Sequence, residues 1–187
     1  FIEALLNTGR YEFVCLGGAM THQNYQPQQV EPFGTAWRIF PIDGYGNHEI
    51  IRSILQKERP DVLWFMTDPR FYGWLWEIEN EIRGQIPMVY YHVWDNFPSP
   101  HFNGIYYRST DEVVCISKVT HKILQDVSPD VSSCYLPHAV NPDVFHPFKT
   151  EEEKAHLIEL RGRILNSTTN HKNPNKKIFF WNNRNAR

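Results

Sequence analysis

The chain has 187 residues, enough to bury a sizeable core in one domain with an appendage. Its 41% hydrophobic and 21% charged shares are those of an ordinary globular protein. A formal net charge of -2 argues against a dedicated nucleic-acid binder, which carries a basic excess, and no apolar run nears the ~20 residues that cross a bilayer.

In chain order the pattern alternates strand and helix. Residues 1–7 read as the end of a helix stopped by Gly9, and residues 11–16 read as a strand that ends in Gly17 and Gly18. Residues 19–35 are polar and rich in Gln and Pro, which predicts a loop. Residues 37–42 form a short strand, followed by the turn chemistry of residues 43–47. Asn47 is placed to cap a helix in which Ile50, Ile51, Ile54 and Leu55 recur at helical spacing. A strand over 62–66, a helix over 74–83 and a strand over 87–93 come next. Residues 113–116 make another strand, Ser117 caps a helix over 119–125, and residues 133–136 make the last strand of this part.

Strands that are apolar throughout and separated by helices are buried on both faces. The expected fold is therefore α/β, a Rossmann-like parallel sheet flanked by helices, with ligand loops at the strand C-termini. The division expected is a Rossmann-like lobe over 1–140, a crossover and linker over 141–177 with a helix from Glu151, and a further strand over 178–187. The chain starts as if inside a helix and stops just after a strand, so truncation at both ends is expected. Cys15, Cys115 and Cys134 lie in apolar runs without metal-ligand spacing and read as buried thiols in a reducing compartment.

The densest candidate site is the segment 90–98. His92 and Asp95, three apart at a strand end, are placed to line one cleft and hydrogen-bond a polyhydroxylated ligand, with Trp94 as an apolar face for a sugar ring. His92 reads equally well as a satisfied strand residue, and Trp94 as core. Gly44, in the turn Asp43-Gly44-Tyr45-Gly46, is a loop candidate that turn-making alone explains. Arg184, after the strand 178–181, is placed like a cation that neutralises a diphosphate, or else belongs to a solvated basic tail. No Ser-His-Asp arrangement, phosphate-binding Gly-rich loop or zinc spacing is present.

Taken in order, Pro60-Asp61-Val62, Tyr91-His92-Val93-Trp94-Asp95, Val113-Val114-Cys115-Ile116-Ser117-Lys118 and the segment 136–147 (Leu-Pro-His-Ala-Val-Asn-Pro-Asp-Val-Phe-His-Pro) resemble the N-terminal lobe of a GT-B glycosyltransferase, closest to family 4. The crossover 136–147 is the most specific match, although His138 and Ala139 replace the usual Asn-Gly. The resemblance implies a nucleotide-sugar donor as co-substrate, with no other cofactor and no metal, and a glycan, lipid or protein acceptor, with no nucleic acid. It implies sugar transfer, with retention, by a parent enzyme of which this chain is the acceptor side. His92, Trp94 and Asp95 would face acceptor or sugar, and Arg184 the donor phosphate; Gly44 and Ser117 are loop positions. A cytoplasmic setting is expected, compatible with peripheral membrane association of the parent enzyme. Two alternatives stay open: a GT-B sugar-nucleotide epimerase and a non-catalytic α/β binding module.

Overall fold

The structure, a computed structural model, describes residues 1–18, 21–94 and 96–168. It divides into two compact units, Phe1–Ala139 and Val140–Arg187. The first is α/β. A short helix α1 (Ile2–Leu6) leads to strand β1 (Phe13–Gly17), then β2 (Gln28–Val30), β3 (Gly34–Pro41) and helix α2 (His48–Glu58). Strand β4 (Leu63–Met66), a 3-10 turn (Pro69–Tyr72), α3 (Gly73–Glu77) and α4 (Glu79–Arg83) follow. The unit continues through β5 (Met88–His92), a second 3-10 turn (His101–Asn103), α5 (Gly104–Arg108), β6 (Glu112–Cys115), α6 (Lys118–Val127) and β7 (Ser133–Tyr135).

Strands β4-β5-β6-β7 pair in that order and all in parallel, with Phe65 opposite Tyr90 and Tyr90 opposite Val113. Helices and strands feed one core. Ile51 and Leu55 of α2, Leu75 of α3, Ile82 of α4, Tyr107 of α5 and Leu124 of α6 join Phe65, Tyr90 and Val113 in a single buried cluster. Each fully buried aliphatic or aromatic side chain in such a cluster stabilises by about 1.5–3 kcal/mol, so the helices are held chiefly by their apolar faces. Two caps sharpen the helix starts: Asn47 Oδ1 accepts from Ile50 N at 2.9 Å, and Ser117 Oγ accepts from Thr120 N at 2.9 Å. This is the expected Rossmann-like α/β arrangement, a parallel sheet flanked by helices.

Several expectations need correction. The segment 19–35 is not all loop, because β2 pairs antiparallel with β3 and β1 pairs parallel with β3, in a separate three-stranded sheet of order β1-β3-β2. Gln28 and Gln29 of β2 are exposed and the register shifts after Gln29, so the strand carries no apolar alternation to signal it. The helix expected over 74–83 is broken at Ile78 (φ -121°, ψ 18°), and the two short helices bury both Leu75 and Ile82. α5 carried no signal, since it is five residues long and starts at a glycine. Cys134 is exposed rather than buried because β7 is the edge strand. Cys115 is buried and Cys15 half-buried; all three thiols are free. Burial pushes the Cys115 thiol up to about 12.

In the second unit Asn141 Oδ1 accepts from Asp143 N at 2.9 Å, forming an Asx turn. A capping box opens α7 (Glu151–Thr168): Thr150 Oγ1 accepts from Glu153 N and Glu153 Oε2 accepts from Thr150 N. The expected strand over 178–187 lies outside the described residues. No helix among the described residues is long and apolar enough to cross a membrane.

The loops after β1 and β3 lie in close contact. Gly44 and Gly46 have φ of +57° and +93°, and a Cβ on Gly18 would collide with the Gly44 carbonyl oxygen. A Cβ on Gly44 itself would meet nothing within 4 Å. Gly44→Ala therefore carries only the left-handed backbone strain, about 1 kcal/mol, whereas Gly18→Ala must displace backbone and costs roughly 2 kcal/mol or more. Urea unfolding of the two variants checks this order; equal losses would contradict the close approach.

Candidate functional site at the strand C-termini

β5 alternates its side chains between two faces, so Tyr90 and His92 share one face while Tyr91 takes the other. Tyr90 stacks on Phe65 and lies 5.5 Å, centroid to centroid, from His92. His92 has no exposed surface. Its Nε2 is 2.9 Å from Tyr107 Oη, and its Nδ1 lies 4.0 Å from Cys115 Sγ. Asn103 Nδ2 lies 3.4 Å from the same Tyr107 oxygen, so amide, phenol and imidazole form one buried polar group. Desolvation lowers the His92 pKa to about 4, so the ring is neutral at neutral pH. His92 therefore does not line a cleft in this conformation. It belongs to the core at the end of β5.

Trp94, two residues beyond β5, is the first side chain of this segment at the sheet's C-terminal edge. Its Nε1 donates to Asn96 O at 2.8 Å, and its ring meets Phe102 edge-on at 5.8 Å. Its carbonyl accepts from Thr120 Oγ1 at 3.2 Å. That leaves Ser117 Oγ to donate to Thr120 Oγ1 at 2.7 Å while it accepts from Thr120 N. Ser117 is thus fully engaged in capping α6 and in tethering the Trp94 backbone, a positioning role. Asp95 and Arg184 lie outside the described residues.

The turn after β4 starts at Thr67 and Asp68, one of the strand ends where the sequence places ligand loops, and adds Arg70, which the sequence did not single out. Thr67 has φ +95°, a strained value for a β-branched residue, and its carbonyl accepts from Tyr90 Oη at 2.7 Å. Asp68 caps the 3-10 turn by accepting from Arg70 N at 3.0 Å. The Arg70 side chain returns to the same carboxylate through Nε, 2.9 Å from Oδ1, and through Nη2 to Oδ2. Its guanidinium carbon sits 5.9 Å from the centre of the Trp94 ring and 5.4 Å from that of Phe102. The Arg70 hydrogen bonds hold the Asp68 carboxyl below the usual range, and Asp68 holds Arg70 above its own. Phe102 is 57% exposed, whereas Trp94 is half-buried and packs against the core, so the ion pair faces solvent beside one open ring and one partly covered ring. The signal for this cluster was Asp-Pro-x directly after a strand, an N-cap followed by Pro at the first helical position.

Gly44 lies in the turn after β3. Beside it Tyr45 stacks face to face on Phe71 at 4.6 Å and 4°, and Asp43 Oδ1 accepts from Tyr25 Oη. The loops after β3 and β4 therefore meet through aromatic rings, Tyr45 face to face with Phe71 and edge-on with Tyr72. Among the described residues no cluster of His, Cys, Asp and Glu is arranged to hold a metal. An Asp–Arg pair offers hydroxyl groups both an acceptor and donors, and the neighbouring rings offer apolar faces. That combination suits an amphipathic polyol such as a sugar.

No family model matches the chain, and no match was found among curated proteins or solved structures.

The buried imidazole has a consequence for stability. His92 binds its proton near pH 6.5 when unfolded but only near pH 4 when folded, so the unfolded state takes up more protons between those values. Stability contributed by the neutral ring is complete above about pH 6.5 and lost on acidification to about pH 4, a loss of roughly 3 kcal/mol. Urea unfolding at a series of pH values should show this slope, and His92→Gln should flatten it. An unchanged slope in that variant would assign the acid sensitivity to other groups.

Proposed function

We propose that this chain is the acceptor-side lobe of a nucleotide-sugar-dependent glycosyltransferase of the GT-B type, and that it binds a carbohydrate acceptor at the C-terminal edge of strands β4 and β5. The observation that carries the binding part is the Asp68–Arg70 ion pair, set against Trp94 and exposed Phe102 on the loops where an open parallel sheet takes its ligands. Sugar hydroxyls would donate to Asp68 and accept from Arg70, and the apolar ring face would lie on Trp94 or Phe102. Support for the enzyme class comes from the crossover 136–147 and from the order of the strand-end motifs. The donor nucleotide-sugar, a retaining outcome and the phosphate role of Arg184 belong to this proposal.

His92 then acts from below. It fixes the end of β5, and with it the departure of the chain toward Trp94, without touching the sugar.

A binding role without chemistry is the second reading. It is favoured by the state of Asp68, which Arg70 keeps ionised and weakly basic, so this carboxylate makes a poor general base. Saturation-transfer NMR separates carbohydrate binding from its absence. The protein is mixed with gluco-, galacto- and manno-configured oligosaccharides and, in a parallel sample, with UDP-glucose. Saturation is expected on oligosaccharide protons and is expected to fall at least about tenfold in Trp94→Ala. No saturation of any oligosaccharide, or equal saturation in a folded Trp94→Ala protein, would overturn the proposal.

A further inference from the structure

Carbonyl groups at the end of β4 and in the turn after it accept hydrogen bonds from aromatic side chains. Tyr72 Oη donates to Met66 O, Tyr90 Oη to Thr67 O and Trp76 Nε1 to Pro69 O, each at 2.7 Å. The carbonyl between the last two, Asp68 O, accepts from Phe71 N at 3.1 Å. Every peptide plane from Met66–Thr67 to Pro69–Arg70 is therefore held by a donor.

Two of these planes flank Thr67, so its φ and ψ are fixed from both sides. Its φ of +95° requires that. A β-branched residue keeps such a value only where its surroundings over-determine it, and strain of this kind collects at ligand sites. Glycine would adopt the same backbone without a Cβ penalty. The Thr67–Asp68 plane also sets where the Asp68 side chain starts. Asp68 in turn holds both the backbone N and the guanidinium of Arg70.

Tyr72 and Trp76 belong to the 3-10 turn and to α3 directly after it, whereas Tyr90 comes from another strand, β5. Tyr90 is 1% exposed and stacks on Phe65 at 5.3 Å and on Tyr107 at 6.2 Å. Its hydroxyl therefore carries the position of the core into the turn. Burial pushes its phenol above the ordinary value, so it stays a donor.

We propose that Tyr90 is a positioning residue for the carbohydrate site: its hydroxyl keeps strained Thr67 in place and so sets the Asp68–Arg70 pair beside Trp94 and Phe102. This rests on the carbohydrate-binding function proposed above and adds to it a residue that does not touch the sugar. Without the hydroxyl the Thr67–Asp68 peptide is free to rotate, Thr67 relaxes, and Asp68 loses its alignment with Arg70.

The test uses the 187-residue protein with Tyr90→Phe, which keeps the ring, alone and combined with Thr67→Gly, which removes the strain. The first measurement needs no sugar: NMR follows the Asp68 carboxyl carbon as pH is varied. Arg70 holds that carboxyl below the usual range, so its midpoint reports the alignment of the pair. The midpoint should rise toward the ordinary aspartate value in Tyr90→Phe and return in the double variant. The second measurement is calorimetric titration with cellotetraose and mannotetraose. Affinity for whichever binds should fall about tenfold in Tyr90→Phe and recover with Thr67→Gly. Thr67→Gly alone should raise the urea midpoint of the protein, and a lowered one would overturn the strain on which the proposal stands. An unchanged Asp68 midpoint in folded Tyr90→Phe, or a raised one that Thr67→Gly does not restore, would overturn the positioning role and leave the sugar site standing. A raised and restored midpoint, with neither tetrasaccharide bound by the unaltered protein, would overturn the carbohydrate function and leave Tyr90 as the residue that sets the ion pair.

Discussion

The hydrogen bond between Tyr107 and His92 is the constraint on which the candidate site depends. It joins the last residue of β5 to α5 inside the core, where the low dielectric makes a satisfied bond strong and an unsatisfied one costly. Asn103 lies against the same phenol oxygen, and burial holds the imidazole neutral. With the end of β5 pinned, the following residues leave the sheet along a fixed path. Thr120 and Ser117 then hold the Trp94 carbonyl from the start of α6. The half-buried Trp94 ring, packed against the core, is therefore positioned by polar contacts from the start of α6, as a preorganised binding surface requires.

A second constraint is electrostatic. Arg70 is placed by Asp68, which uses one carboxylate to cap the turn and to orient the guanidinium. The pair remains in partial contact with solvent, so its worth to stability is small, and its value lies in geometry. It fixes a donor and an acceptor side by side between aromatic rings. The same pairing removes Asp68 as a base, so chemistry on a bound sugar would require groups other than this carboxylate.

Much of the fold was legible in the sequence because the relevant physics is local. Continuous apolar runs such as Leu63–Met66 announced strands of a parallel sheet, although only Phe65 of that run is buried and Met66 is exposed, and Asn47 and Ser117 announced helix starts through their side-chain oxygens. β2 was illegible because an exposed, Gln-rich strand is specified by its partner β3 and not by its own pattern. The site was half legible. Trp94 and Ser117 fall where the strand ends predict, but one-dimensional spacing could not show that His92 turns inward with Tyr90. Nor could it show that Arg70 reaches Trp94 and Phe102 from a different loop, since that meeting depends on the pairing of β4 with β5.

The central claim is that the C-terminal edge around Trp94 is a carbohydrate surface built on a rigid base. Indole N–H resonances report it most directly, since each tryptophan supplies its own probe. On addition of cellotetraose or mannotetraose to saturation, the Trp94 indole signal should shift while those of Trp37 and Trp74, whose Nε1 atoms are buried, stay in place. A shift confined to any tryptophan other than Trp94, or no indole shift with either tetrasaccharide, would contradict the account.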